Sequence, residues 1–343
     1  MSPISVNIRI ITIPNVNSII IHLYFEYISI AIEYIRRIYI VLILPSYLDA
    51  IFIYLNVLYI IMKNDIYCSE FSKFADEVMG KEVDLTITSP PYSHNRDYNG
   101  FKFDMDKIVE SLWNVTKDGG VCVWVVGDVT ENGSETGLPF VHANTFMDHG
   151  WNLHDTMIFE KSGLPFPSKN RYTQCWEYMF IFSIGTPKTV YLLKDRPNAN
   201  AGKPSYWGKP TARQKDGTLK LCGKIYTTPD YGVRTNIWRY ITGNVGCTQD
   251  RIAYNHPAIF PESLVRDHIL SWSNPGDLVL DCMNGSGTTT KIARLMNREY
   301  VGVDISKKYC DDAKERLKLP CKNLYLPETA DEFNASILKK PEV

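Results

Sequence analysis

Ser89-Pro90-Pro91-Tyr92 follows directly on the apolar run Val83–Thr88. Paired prolines fix the backbone in an extended form, and their carbonyls cannot all be used up within a sheet, so they can face a ligand. Ser89 adds a hydroxyl, and Tyr92 an aromatic face with a phenol. These groups suit an exocyclic amino group on a base: oxygens accept its two N–H bonds while a ring stacks on the plane. Taken alone, the tetrapeptide reads equally as a Pro-Pro turn closing a strand. A second stretch, Asp281-Cys282-Met283-Asn284-Gly285-Ser286-Gly287-Thr288, joins the strand-like Leu278–Asp281 to a helix-like segment. Glycines at such a junction let the backbone approach a ligand closely, and the helix start supplies free N–H groups. Asp304 ends the next apolar run, about 20 residues on, where an acid can bind ribose hydroxyls. The combination points to a pocket for a nucleoside cofactor. Thr290 replaces the third glycine of a dinucleotide fingerprint.

Elements able to hold these stretches alternate along the chain. Helical spacing predicts helices over Ser69–Met79, with Phe71, Phe74, Ala75 and Val78 on one face, and over Met105–Val115, Glu262–Trp272, Thr288–Met296 and Lys307–Leu317. Apolar runs predict strands just after Asn64 and over Val83–Thr88, Val121–Val126, Thr156–Glu160, Tyr178–Phe182, Leu278–Asp281 and Tyr300–Asp304. The alternation implies an α/β domain. Too few residues follow Leu326 to complete a sheet around the glycine loop, so its other strands must come from earlier in the chain. The domain is therefore expected to be permuted.

The chain has 343 residues, 45% hydrophobic and 22% charged, which excludes a disordered tail or a disulfide-stapled miniprotein. Its net charge of −1 excludes a uniformly basic coat protein but not a local basic face. Such a face is predicted between Lys194 and Arg239, where ten Lys and Arg stand against three Asp, a local balance of +7. Lys203, Lys209, Arg213, Lys215, Lys220, Lys224 and Arg234 are interleaved with Tyr206, Trp207, Tyr226, Tyr231 and Trp238. Basic groups neutralise phosphates and aromatics stack on bases; a solvated loop over packed aromatics is the plainer alternative. The eight cysteines are scattered, and His94, His142, His149, His154 and His256 lack ligand spacing, so no metal site is expected. Residues 1–61 differ in kind, rich in isoleucine (Ile19-Ile20-Ile21, Ile60-Ile61). They read most simply as translated AT-rich sequence before a start at Met62, with an interfacial anchor or a soluble extension as alternatives. Pro45, Ser46, Asp49 and Asn56 keep any apolar run below about 18 residues.

Taken in order, these motifs resemble the β-class of DNA amino-methyltransferases, which methylate the exocyclic nitrogen of cytosine or adenine with S-adenosylmethionine. Thr88-Ser89-Pro90-Pro91-Tyr92 is similar to the catalytic motif of that family, in the Ser-Pro-Pro-Tyr form usual for N4-cytosine enzymes. Gly119-Gly120 through Gly127-Asp128 resembles the next family strand, and His256-Pro257-Ala258-Ile259-Phe260-Pro261-Glu262 the opening of the cofactor half. The family commonly has Asp-Pro-Phe where this chain has Asp281-Cys282-Met283, which removes an aromatic contact.

The resemblance implies a Rossmann-like α/β fold, circularly permuted. Its sheet would be mostly parallel and twisted, with helices on both faces and an inserted target-recognition region. It implies a catalytic half at 62–190, target recognition at 191–246, a cofactor half at 247–326 and a tail at 327–343. Ser89, Pro90, Pro91 and Tyr92 would be catalytic. Phe260, Glu262, Asp281, Cys282, Met283, Gly285, Ser286, Gly287, Thr288 and Asp304 would bind the cofactor. Double-stranded DNA would be the substrate, in the cytoplasm, for a monomer or homodimer that a restriction endonuclease could accompany; no membrane partner is expected. N6-adenine transfer is the alternative within the family. Carbon-5 chemistry at Pro320-Cys321 would leave only about twenty residues for a catalytic domain. A non-catalytic DNA-binding module, or an RNA or small-molecule methyltransferase, completes the rivals.

Overall fold

The computed structural model describes residues 63–91, 103–163, 169–207, 211–221, 224–243 and 246–338. Of the first 62 residues it describes three strands, Ile8–Thr12, Ile19–Leu23 and Ile40–Leu42, paired antiparallel in that order. Met1–Met62 and Lys63–Val343 form two separate compact units. Tyr92 and Lys209 lie outside the described residues.

The larger unit is built on eight strands: β1 (Asp65–Cys68), β2 (Val83–Thr88), β3 (Thr116–Val126), β4 (Asn152–Lys161), β5 (Trp176–Ser183), β6 (Ile237–Tyr240), β7 (Leu278–Asp281) and β8 (Glu299–Asp304). Their order across the sheet is β6-β4-β5-β3-β2-β7-β8-β1. Only β5 runs against the rest, antiparallel to both β3 and β4. Strands β7 and β8, from late in the chain, fill the gap between the early β1 and β2, which is the expected permutation.

Alternation along the central strands explains why both faces are covered. Val121, Val123 and Val125 of β3 enter one core, and Cys122, Trp124 and Val126 the other. Helices α1 (Phe71–Val78), α2 (Met105–Val115) and α3 (Leu138–Asp148) bury their apolar sides in the second core. Helices α4 (Glu262–Trp272), α5 (Thr288–Leu295), α6 (Lys307–Leu317) and α7 (Ala330–Leu338) bury theirs in the first. Asp104 caps α2 by accepting from the Lys107 amide at 3.2 Å, and Ser306 caps α6 through the Tyr309 amide. No described helix is long and apolar enough to cross a membrane.

Three features depart from the sequence expectation. Helix α3 is additional, its Phe146 stacked on Phe182 at 4.0 Å between ring centroids and edge-on to Trp124. The segment expected as a tail forms α7, with Ala330 and Phe333 in the core. Most of the 191–246 region is one nested antiparallel ribbon. It pairs Arg196–Pro197 with Tyr231–Gly232, Pro204–Trp207 with Lys224–Thr227, and Thr211–Arg213 with Leu219–Leu221. Its end, Ile237–Tyr240, rejoins the main sheet as β6.

Replacing Phe146 by Ala should lower stability by about 3–5 kcal/mol through cavity formation. Denaturant melts would read this, and a loss below about 1 kcal/mol would show that α3 is not held by this aromatic cluster.

Candidate active site

β2 and β7 are neighbours in parallel register, Val279 opposite Leu85 and Leu280 opposite Thr86, so their carboxyl ends open on the same sheet edge. Ser89, Pro90 and Pro91 leave one end and Cys282 to Gly287 leave the other. The two ends are tied directly: the Thr88 hydroxyl donates to Asp281 Oδ1 at 2.8 Å, across 193 residues of sequence. Ser89-Pro90-Pro91 and Asp281 to Ser286 line one cavity of about 1090 Å³. That exceeds what one drug-sized ligand needs and leaves room for a nucleoside cofactor beside a base.

At the cofactor end, Asp304 accepts from the Gly285 amide at 2.7 Å through Oδ2 and from the Ser306 amide at 2.8 Å through Oδ1. Each oxygen keeps further acceptor capacity, as two ribose hydroxyls require. Burial raises the Asp304 pKa, against these N–H bonds and the nearby His256. Gly285 has φ +45°, and a Cβ there would lie 2.9 Å from the His256 ring. Gly287 has φ +75°, and its missing Cβ lets α6 approach, since Ala313 Cβ would be 2.7 Å away. His256 packs edge-on to Tyr309, and both line the cavity with Phe260 and Met283. These features fit S-adenosylmethionine: an acid for the ribose, a bare backbone loop, and apolar and aromatic walls.

Asp281 is fully enclosed, and burial pushes its pKa up to about 6 despite bonds from the Thr88 hydroxyl and the Met283 amide. The Cys282 thiol packs in the core, 3.7 Å from Thr88 Oγ1. Ser286 and Thr288 line the cavity but turn polar atoms towards Arg316, which donates to the Ser286 carbonyl at 3.0 Å and to Thr288 Oγ1 at 2.8 Å.

Two expected site residues are employed elsewhere. Glu262 lies behind the glycine loop, where it accepts from Lys291, Arg316 and the Thr248 hydroxyl. With Asp250 these residues form a buried cluster of two cations and two carboxylates that fixes the loop from beneath. Arg234 is bound by Asp195 and Asp267 and lies over the Trp238 ring, so its guanidinium locks the ribbon's base to α4 instead of facing DNA. Lys203, Arg213, Lys215 and Lys220 are exposed on the ribbon, Lys215 in its terminal turn. Lys224 and Trp207 lie in its middle strands.

Sequence reasoning missed Asp250, Lys291 and Arg316, whose only signal was charge on otherwise amphipathic segments. Asp128 organises the turn before α3, accepting from the Val129 and Gly137 amides and the Thr136 hydroxyl. Burial and Glu262 push the Cys321 thiol up to about 12, so it is not a ready nucleophile. Among the described residues no group of His, Cys, Asp and Glu could hold a metal ion.

A mostly parallel sheet that brings the glycine loop, Asp304 and the Ser-Pro-Pro turn into one cavity has the architecture of an S-adenosylmethionine-dependent methyltransferase. Residues 83–315 match the N6/N4 DNA methylase family model, and the chain belongs to that family. The orphan methyltransferase M.BamHII of Bacillus amyloliquefaciens is 55% identical over 237 residues, covering 69% of this chain and 89% of that protein. The type II methyltransferase M.SmaI of Serratia marcescens is 24% identical, covering 68% of this chain and 84% of its own. Among solved structures, PvuII DNA methyltransferase (cytosine-N4-specific) shares the fold with a TM-score of 0.53 at 16% identity, covering 80% of this chain and 92% of its own. The protein is thus a DNA methyltransferase of the N6/N4 family, with S-adenosylmethionine as methyl donor.

Asp304→Ala should weaken S-adenosylhomocysteine binding about 10- to 100-fold, the loss of hydrogen bonds to a charged acceptor; unchanged affinity in calorimetry would remove Asp304 from the ribose site. Asp281 also makes stability depend on pH. Its folded pKa of about 6 exceeds the unfolded value of 3.8, so its contribution is full below the unfolded value and lost as pH rises through the folded one. Without cofactor, the wild type should lose up to about 3 kcal/mol relative to Asp281→Asn between pH 4 and 7. Parallel melting curves across that range would contradict it.

Proposed function

We propose that the protein methylates the N4 amino group of cytosine in double-stranded DNA, at a specific site. The observation that carries this reading is Ser89 at the end of β2, beside the buried Pro90 and in the same cavity as the glycine loop. A base within a duplex cannot present its amino nitrogen to this cavity, so the target nucleotide is swung out. Ser89 Oγ and the Pro90 carbonyl accept the two amino N–H bonds, which turns the nitrogen lone pair towards the cofactor loop. Tyr92, next in sequence, stacks on the ring. S-adenosylmethionine supplies the sulfonium-bound methyl, and the protein's part is positioning and electrostatics. No cysteine nucleophile is needed.

The exposed ribbon suits the DNA contact. A two-stranded ribbon fits the major groove, and Lys203, Arg213, Lys215, Lys220 and Lys224 provide phosphate neutralisation along it. The activity belongs in DNA modification or host protection, with or without a companion endonuclease.

Digestion of methylated duplex to nucleosides, followed by mass analysis, tests the reading. N4-methylcytosine is expected, with turnover falling about 10- to 100-fold in Ser89→Ala through loss of one amino acceptor. N6-methyladenine would transfer the same geometry to adenine and overturn the cytosine assignment.

A further inference from the structure

The connection between β4 and β5 lies on the sheet edge where β2 and β7 end, because β4 runs with those strands and β5 against them. Lys161 and Glu177, at its two flanks, both line the cavity of Ser89 and the glycine loop. Tyr172, within the connection, has a relative exposure of 102%, the highest of any large apolar side chain among the described residues. A tyrosine ring forgoes more burial than most side chains when it is left in water. Its placement here calls for a partner that comes to cover it.

The neighbouring residue fixes where this ring stands. The Arg171 guanidinium donates to the Gly133 carbonyl, in a hairpin that pairs Thr130 with Glu135 and Glu131 with Ser134. Asn132 and Gly133, the two turn residues, both have positive φ, as a tight hairpin requires. The hairpin follows β3, which lies between β2 and β5. In the ladders Thr88 is opposite Trp124, and Trp124 is opposite Phe180. Trp176, which opens β5, therefore stands four residues, about 13 Å, beyond the level of Thr88 and two strand spacings, about 10 Å, to the side. Tyr172 comes four residues earlier and is not part of the cavity lining. It belongs to the rim, outside the space that a base held at Ser89 would fill.

We propose that the Tyr172 ring enters the DNA base stack at the position that the target nucleotide leaves. Swinging a base out breaks its stacking on both neighbours, and a flat ring in the gap restores stacking whatever the flanking sequence. Tyrosine suits the task, since its ring is rigid and its hydroxyl stays hydrated at the groove. Lys169, exposed three residues before it, supplies a cation for the adjoining phosphates. Tyr172 thus contacts the DNA and not the reacting atoms, and it works by holding the extruded state. The inference rests on the proposed swinging-out of the target base, and it holds for cytosine and adenine alike.

The test pairs Tyr172→Ala with a duplex in which a pyrene nucleotide stands opposite the target, so that the DNA carries its own flat filler for the gap. The site is first mapped with the wild-type full chain. Because Tyr172 is fully exposed, the variant should melt and bind S-adenosylhomocysteine as the wild type does. On the ordinary duplex its kcat/KM should fall about 10- to 100-fold, the loss of one ring–base stack. On the pyrene duplex the two proteins should agree within about threefold, and Tyr172→Trp should recover most of the loss on the ordinary one. Affinity for the two duplexes with S-adenosylhomocysteine bound should show the same pattern, and it needs no turnover. Wild-type behaviour of Tyr172→Ala on the ordinary duplex would overturn the proposal. So would an equal deficit on both duplexes, since Tyr172 would then act elsewhere than in the gap. Fluorescence of 2-aminopurine in the target position separates the two ideas. If it stays quenched in the wild-type complex, the base is never swung out, and the underlying reading is what fails.

Discussion

The hydrogen bond from Thr88 to Asp281 joins the two strands on which the site depends. One partner ends the strand that launches Ser-Pro-Pro, and the other ends the strand that launches the glycine loop. Both lie in the centre of a sheet covered on each face, where a hydroxyl and a carboxylate would each be costly unpaired. Thr289, at the start of α5, reinforces the junction by donating to the Ile87 carbonyl at 3.2 Å. The permutation makes this junction necessary. The two halves of the site are remote in sequence, so cross-strand bonds rather than a connecting turn must set their distance.

Support for the cofactor loop comes from below as well. Lys291 and Arg316 are fully buried, and each meets both Asp250 and Glu262. Removing one partner of such a cluster would strand a buried charge, so the four act as a unit. Arg316 carries the cluster's hold on the loop: it donates to the Ser286 carbonyl, between the two left-handed glycines, and to Thr288 Oγ1 just beyond them. Further along α4, Arg234 ties the base of the ribbon, with Asp195, to Asp267. The catalytic cavity and the ribbon that would carry DNA are therefore referred to one rigid sheet.

Much of this was legible in the sequence where physics leaves a local mark. β2 and β7 read as strands because both of their faces are buried. Helices α2 and α6 read as helices because their apolar residues recur at helical spacing. The Gly285-Ser286-Gly287 loop stood out because close backbone approach restricts residue type, and Asp304 because an acid at a strand end after such a loop suits a ribose. Other parts left no such mark. In α3, Phe140 and Val141 are exposed while His142 is buried, so apolar spacing does not separate its faces. The ribbon is exposed on most of its surface and lacks the alternation of a half-buried strand. Glu262 and Arg234 misled for one reason: their types suit a ligand, and their actual partners, Arg316 and Asp195, are distant in sequence.

The central claim is that the Ser-Pro-Pro turn and the glycine loop share one cleft for a base and its methyl donor. A crystal structure of the protein with S-adenosylhomocysteine and a duplex containing the mapped site tests it most directly. The account predicts an extruded base whose amino nitrogen lies within hydrogen-bond distance of Ser89 Oγ and the Pro90 carbonyl. The cofactor sulfur should lie near it and the ribose on Asp304. A target base still stacked in the duplex, or a cofactor seated away from Asp304 and Gly285, would contradict the account.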